Sequence, residues 1–344
     1  MNIMLMPVPI THRVTIQSHA PLRSHRPLRL CGCLGAFPNA GASVHLPRTW
    51  SARSRATALG VLAIVLWSTS SAAAVSLVEQ LGPWTSLTLV SGIAGIALAL
   101  VEGVRHRQAS AFLRIGWRFG LTCGACFVAY QFCYYWAFSQ ARDRNMAMQL
   151  NLINYLWPSL MVLVAQGRRA QPFMLGLALV IGFIGIAAAI SPDLTLPKFI
   201  HEVAIAPLPF LAMFGAAVAW VMFSLLVPKL QQSHAPSGTA AFFLVTAVVA
   251  GCIRLFVDEP THWEASVLPA LFYTALIPSA SAYLLWERSM HDGDASLLGS
   301  LGNALPLLST LISGALLGLV PTIGLLIGAC LVVTAAILAR KAAR

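Results

Sequence analysis

Two carboxamides and a proline stand inside the stretch Asn151-Leu-Ile-Asn-Tyr-Leu-Trp-Pro158, part of a run from Asn145 to Gln166 that carries no charge. An amide left unpaired in hydrocarbon costs several kcal/mol, so such residues are kept where they face protein or a water-filled path. Asn151, Asn154 and Pro158 share a helix face by their i, i+3, i+7 spacing. Pro158 has no N–H to donate, which predicts a kink and a freed carbonyl at Asn154. The chemistry on offer is non-covalent: hydrogen-bonding groups along a path. A later stretch, Ser296, Ser300, Asn303, Pro306 and Thr310, repeats the arrangement, with Pro306 expected to free the carbonyl of Gly302. Pro278, with Ser279 and Ser281, is expected to do the same for Thr274.

Aromatic surface accompanies these groups. Phe127, Tyr130, Tyr134 and Phe138 fall at helical spacing with Gln131 and Tyr135 beside them, while Trp67, Ser68, Thr69 and Ser70, and further on Trp220 and Phe223, could complete a wall. Rings with a few amides suit a flat or amphipathic solute that stacks on the rings and satisfies its polar ends on carboxamides. Taken singly, a ring in a membrane helix is more often bundle core or interfacial belt, the reading for Trp84 and Trp263. Serines and threonines commonly bond their own helix backbone.

The elements that must hold these residues are membrane helices. With 58% hydrophobic and 10% charged residues over 344 positions, the chain cannot give a globule of its size a polar shell. Ten apolar runs, near 57–78, 82–102, 117–138, 145–166, 173–190, 208–228, 237–257, 267–288, 295–318 and 321–339, each approach the ~20 residues needed to cross the bilayer core. Their connections leave no room for a soluble catalytic domain. The formal charge of +11 would suggest nucleic acid in a soluble protein. Its placement says otherwise. With the N-terminus cytoplasmic, Arg105, Arg107, Arg114, Arg118, Arg168, Arg169, Lys229, Arg288, Arg340, Lys341 and Arg344 lie inside, against Arg142, Arg144, Lys198 and Arg254 outside. That bias predicts both termini in the cytoplasm.

Residues 1–56 contain no acid and no sustained periodicity, and read as a basic disordered tail. A start codon set too far upstream is preferred to an organelle transit peptide, because prolines at 21, 27, 38 and 47 interrupt any amphipathic helix. Cys31 and Cys33 lack a metal-site pattern. Cys123, Cys126, Cys133, Cys252 and Cys330 fall within spans, so no disulfide framework is expected, and Cys123-x-x-Cys126 reads as small packing residues. Gly324-x-x-x-Gly328 reads as a close helix contact.

The halves echo each other: Trp67 with Trp220, Trp136 with Trp286, and Pro158 with Pro306, at offsets of 153, 150 and 148. Five spans per copy force the second copy to enter from the opposite side, giving an inverted repeat. The expected fold class is all-α integral membrane, ten transmembrane helices as a five-plus-five inverted repeat, with the first repeat at 57–190, a linker at 191–207 and the second repeat at 208–344. Such repeats pack in two ways of similar energy, the physical basis of alternating access. No Asp, Glu, Lys or His lies at the centre of a span, since Glu79, Glu102, Glu287, Arg288 and Arg254 sit at ends, where Arg254 could snorkel. Transport down the solute's own gradient is therefore expected.

Leu59-Gly-Val-Leu-Ala-Ile-Val-Leu-Trp-Ser-Thr69, Leu81-Gly-Pro83 and Asn154-Tyr-Leu-Trp-Pro-Ser-Leu160 resemble the YddG-type aromatic amino-acid exporters, in the EamA-like branch of the drug/metabolite transporter superfamily. The resemblance covers residues 57 to about 340, and Trp220, Tyr283, Trp286, Gly293 and Pro306 fall in step with it. It implies a ten-helix carrier of the bacterial inner membrane exporting aromatic and other neutral amino acids and some xenobiotics. Gln149 departs from the pattern, where relatives often carry Glu, and so does Asn303, where an aromatic residue is common.

Together these readings predict an efflux carrier, not an enzyme, with no cofactor, no metal and no catalytic residue. Its solute is expected against Trp67, Ser68, Tyr130, Gln131, Tyr134, Asn151, Asn154, Pro158, Trp220, Tyr283, Trp286, Ser300, Asn303 and Pro306. Its partners would be a small-molecule solute, best guessed as an amino acid, and membrane lipid, with no nucleic acid and a monomer as the simplest state. An EamA-type exporter of other metabolites or drugs, such as non-aromatic amino acids or nucleosides, is the alternative. A non-transporting scaffold or sensor is a remote one.

Overall fold

The computed structural model describes residues 51–108, 110, 113–166, 170–191, 196–231 and 238–343. Expectations for residues 1–50, Arg168, Arg169, Arg344 and the surroundings of the Ser296 side chain lie outside them. Among the described residues every regular element is helical. The first half comprises α1 (Ala52–Ser68), α2 (Ser70–Leu81), α3 (Pro83–His106), α4 (Trp117–Ser139), α5 (Arg144–Asn154), α6 (Trp157–Gln166) and α7 (Pro172–Ile190). After α8 (Leu196–Ile205) come α9 (Pro207–Leu230), α10 (Thr239–Arg254), α11 (Val267–Thr274), α12 (Ala282–Asp292), α13 (Ala295–Leu301), α14 (Leu305–Leu316) and α15 (Ile323–Ala342). The stretch expected as a linker thus holds a helix, and α1 begins within the expected tail.

Among the described residues, eight helical stretches of 19 to 30 residues are long and apolar enough to cross a membrane, joined by the shorter apolar α10. The chain is a multi-pass membrane protein. The expected third span, α4, runs 23 residues but falls outside the eight, because its tyrosines and Gln131 lower its hydropathy. Three of those polar residues, Gln131, Tyr134 and Tyr135, are buried inside the bundle. The outer surface is apolar as lipid demands, with Leu100, Leu121, Val180, Leu211 and Val248 all exposed.

Helix ends follow local chemistry. Asp143 caps α5 by accepting from the Met146 N–H at 2.8 Å, and Thr322 caps α15 by accepting from Leu325 N–H at 3.2 Å. Arg340 and Lys341 in the last turn of α15 complement its dipole. The expected kinks appear as breaks. The fourth span stops at Asn154 and restarts at Trp157, placing Pro158 in a first turn where no N–H is missed. The ninth stops at Leu301, passes through a 3-10 turn at Gly302–Ala304 and restarts with Pro306 in its first turn. One expectation is corrected here: the Gly302 carbonyl is not free, because the tightened turn brings it the Leu305 N–H. Around Pro278 the helix widens into a π-turn, Ala275–Ser281. The first span also breaks, at Thr69, where Ser68, Thr69 and Ser70 donate to the carbonyls of Ile64, Leu66 and Trp67.

Four helix pairs form the frame: α7 with α15, α3 with α10, α4 with α9, and α1 with α12. In addition α1 packs on α14, and α5 and α6 pack on α9. Of the Gly324-x-x-x-Gly328 pair, Gly328 makes the expected close contact between α7 and α15, where a Cβ on it would lie 2.5 Å from the Gly185 carbonyl oxygen.

Candidate functional site

Four helices bring rings together near mid-length. Trp67, at the end of α1, meets Tyr283 of α12 edge-on at 5.3 Å and Trp286 at 5.2 Å. Across the bundle Trp220 of α9 meets Tyr130 of α4 at 5.0 Å. Phe127 joins the groups, 5.7 Å from Phe223 and 6.3 Å from Tyr283. Trp67 and Trp220 are 153 positions apart, and so are Tyr130 and Tyr283. The two tryptophan–tyrosine contacts therefore use the same residue types at one offset. Phe127 is fully buried, whereas Trp67, Tyr130, Trp220, Tyr283 and Trp286 keep partial access to solvent. Tyr130 stacks on Tyr134 at 5.7 Å and Tyr134 packs edge-on against Phe138 at 4.6 Å, a ladder of rings along α4.

A polar seam lies beside the rings. The Asn151 carboxamide donates to Ser309 Oγ at 3.1 Å, and the Tyr134 hydroxyl approaches Asn151 Oδ1 at 3.5 Å. Ser309 bonds Ser71 at 3.1 Å, Ser71 bonds Ser313 at 2.7 Å, and Ser313 donates to the Ser68 carbonyl at 3.3 Å. The seam ties α2 and α5 to α14. Asn154, one turn beyond Asn151, is buried with its Oδ1 unpartnered, and its carboxamide neighbours the Tyr130 hydroxyl. A buried acceptor without a donor costs about 1–3 kcal/mol. It is kept at the edge of the ring cluster.

The other expected residues divide. Gln131 is buried on α4, and Pro158 and Pro306 open the restarted helices beside the seam. Asn303 sits half-buried in the 3-10 turn, three residues before Pro306. Ser68 spends its hydroxyl on the Ile64 carbonyl and is fully buried, so it offers only its carbonyl, to Ser313. Ser300 stands apart: it is exposed and accepts from Arg340 at 2.6 Å. Gln149 donates to the Ala189 carbonyl of α7 at 2.9 Å, a bond an ionised Glu could not make.

Sequence reasoning missed a cluster at the end of the bundle away from the described termini. Glu259, 5% exposed, accepts from the N–H groups of Trp84 and Thr85, both at 2.8 Å, and from the Thr85 hydroxyl at 2.7 Å. Its carboxylate thereby caps the N-terminus of α3, where negative charge meets the helix dipole. Arg254, at the end of its span, turns its guanidinium onto this cluster. It lies 3.4 Å from Glu259 and donates to Thr85 Oγ1 and to the carbonyls of Val257 and Glu259. Gly82, at φ 75°, lets the chain turn there, and a Cβ would meet the Glu259 carboxylate at 2.3 Å. Nearby, Arg144 forks onto Glu79 with N–O distances of 2.7 to 3.2 Å and also donates to the Leu317 carbonyl. Between these groups opens a cavity of about 470 Å³, lined by Glu79, Trp84, Trp136, Phe138, Asp258 and Glu259 among others. Trp84, expected in the interfacial belt, is half-buried there against Phe132. Trp136, matched with Trp286 by sequence, shares this wall and not the central ring cluster.

Rings, amides and hydroxyls in this arrangement can bind and orient a solute. Comparison with known proteins agrees. Residues 208–340 match the family model described as the EamA-like transporter family. The aromatic amino acid exporter YddG of Ancylobacter novellus is 30% identical over 272 residues, 76% of this chain and 88% of its own. The chain belongs to the EamA-like, YddG-type transporters. The YddG exporters of Salmonella typhimurium and Escherichia coli are 25% and 24% identical, each with 89% of its length covered. A solved protein crystal structure, 27% identical, superposes with a TM-score of 0.60 over 85% of this chain and 99% of that one. The residues quoted from α1, α3 and the fourth span thus carried the family correctly, and the protein is a membrane transporter.

Proposed function

We propose that this transporter exports aromatic and other neutral amino acids across the bacterial inner membrane by alternating access, as a monomer with both termini cytoplasmic. The observation that carries the reading is the pair of tryptophan–tyrosine contacts at one offset, with the unpartnered Asn154 Oδ1 on the carboxamide beside Tyr130 of one of them. A flat ring stacks on such a wall, and an ammonium N–H satisfies such an acceptor. The relatives named as aromatic amino acid exporters point to the same cargo.

Ten spans in two inverted halves account for the packing. A shift of five spans carries the α3–α10 and α7–α15 pairs onto themselves, α4–α9 onto α12–α1, and the α5–α6 contact with α9 onto that of α14 with α1. Gly82 and Gly238, at φ 75° and 77°, open the second and seventh spans alike. In the proposed cycle one half rocks on the other while the restarts at Pro158 and Pro306 take up the bend. The solute moves down its own gradient, since the central site is built of rings and amides and no carboxylate is among its described residues.

The test is growth of an expressing strain on fluorinated phenylalanine. Wild-type protein is expected to protect and Asn154→Leu, made at equal level in the membrane, to fail. Equal protection by Asn154→Leu removes that residue from the site, and absence of protection by wild type removes aromatic amino acids from the cargo.

A further inference from the structure

The cavity at the end away from the termini is separate from the ring cluster, yet the ladder Tyr130, Tyr134, Phe138 leads into it, because Phe138 lines its wall. Its volume of about 470 Å³ lies in the range of small-molecule sites, roughly 300–1,000 Å³. Two half-buried indoles, Trp84 and Trp136, form apolar surface, and Trp84 is braced by Phe132 at 5.3 Å. Three carboxylates border the same space. Glu259 is committed to the α3 N-terminus and Arg254, and Glu79 to Arg144. Asp258, exposed at the rim, bonds no described residue. The two committed acids have their cations outside the lining, so the uncommitted carboxylate facing the cavity leaves it a negative charge. Indole faces and a free carboxylate both attract an ammonium group, while an anion finds no lysine or arginine on the lining, only the imidazole of His262.

We infer that this cavity is a second, outer solute subsite, selective for aromatic amines that are cationic or zwitterionic, where the exported molecule pauses before release. The subsite rests on the export reading only for its place on the path; its occupancy is a separate property of the folded protein. The ring lies on Trp84 and Trp136, and the ammonium points to Asp258.

Isothermal titration of the detergent-purified full chain tests this, with phenylalaninamide as the cationic probe and 3-phenylpropionate as the anionic one. Phenylalaninamide is expected to bind wild type and Asn154→Leu equally at this subsite. Asp258→Asn should weaken it about fivefold and Trp136→Ala about tenfold, with Trp136→Phe restoring most of the loss. Phenylpropionate should bind at least about tenfold more weakly than the amide. Unchanged affinity in both cavity variants, loss of all binding in Asn154→Leu, or equal affinity for the two probes would overturn the proposal. Intact cavity binding in a protein that moves no amino acid would instead sink the export reading alone.

Discussion

Removing the Glu259 side chain tests whether the cluster around it is one cooperative device. Glu259→Ala deprives the Trp84 and Thr85 N–H groups of their acceptor and takes the anion from Arg254. Loss of a helix cap costs about 1 kcal/mol. A buried ion pair losing one partner costs about 3–5 kcal/mol, and the cost here falls to about 2 because Arg254 is one third exposed and keeps two carbonyl acceptors. The expected total is about 3 kcal/mol. Gly82→Ala reaches a similar figure by another route. The backbone there, φ 75° and ψ 170°, is nearly restricted to glycine, costing about 1–3 kcal/mol, and the new Cβ displaces the same carboxylate. Once the carboxylate is gone, the Gly82→Ala change carries only its backbone cost. The double variant should therefore lose about 1–2 kcal/mol less than the sum of the singles. Equilibrium unfolding in mixed micelles, followed by tryptophan emission, measures all three. Additivity within about 0.5 kcal/mol would refute the shared contact.

The remaining expectations concern the seam, the clamp and the helix contact. Ser309→Ala removes the acceptor of Asn151 and a partner of Ser71, and should destabilise the protein by about 1–2 kcal/mol in the same unfolding assay, whereas Ser300→Ala should leave transport rates unchanged. Arg144→Gln releases an exposed pair with Glu79, 45% and 38% accessible, so stability should fall by less than about 1 kcal/mol; the readout is labelling of Trp136→Cys by an impermeant maleimide, expected to quicken as the outer end opens. Gly328→Val drives a side chain into the Gly185 carbonyl at the α7 to α15 contact and should cost about 1–3 kcal/mol, read as a lower midpoint of thermal inactivation.

Much of this architecture is visible in the chain because lipid imposes a simple rule: roughly 20 apolar residues per crossing. Pro158 and Pro306 announced their breaks, since a missing N–H acts locally. The break at Thr69 was less legible; three consecutive hydroxyls are its only sign, and each could have faced a solute. Trp136 was matched to Trp286 by sequence, yet Trp136 lines the cavity at the bundle end while Trp286 meets Trp67 in the ring cluster. Glu259 acts on Trp84, 175 positions away, with no local pattern to mark it. The meeting of Trp67, Tyr130, Trp220 and Tyr283 in the candidate site was legible from composition and spacing. The cavity beside Trp84 and Trp136 was not, because loop residues meet there without periodicity.

The central claim is that this bundle carries an aromatic amino acid from one side to the other through the ring-and-amide site around Asn154. Counterflow measures it most directly: proteoliposomes loaded with unlabelled phenylalanine are diluted into a trace of labelled phenylalanine. The account predicts a transient accumulation of label with wild-type protein, none with Asn154→Leu, and no accompanying stoichiometric proton flux. Absence of accumulation with correctly folded wild-type protein would contradict it, as would undiminished accumulation with Asn154→Leu.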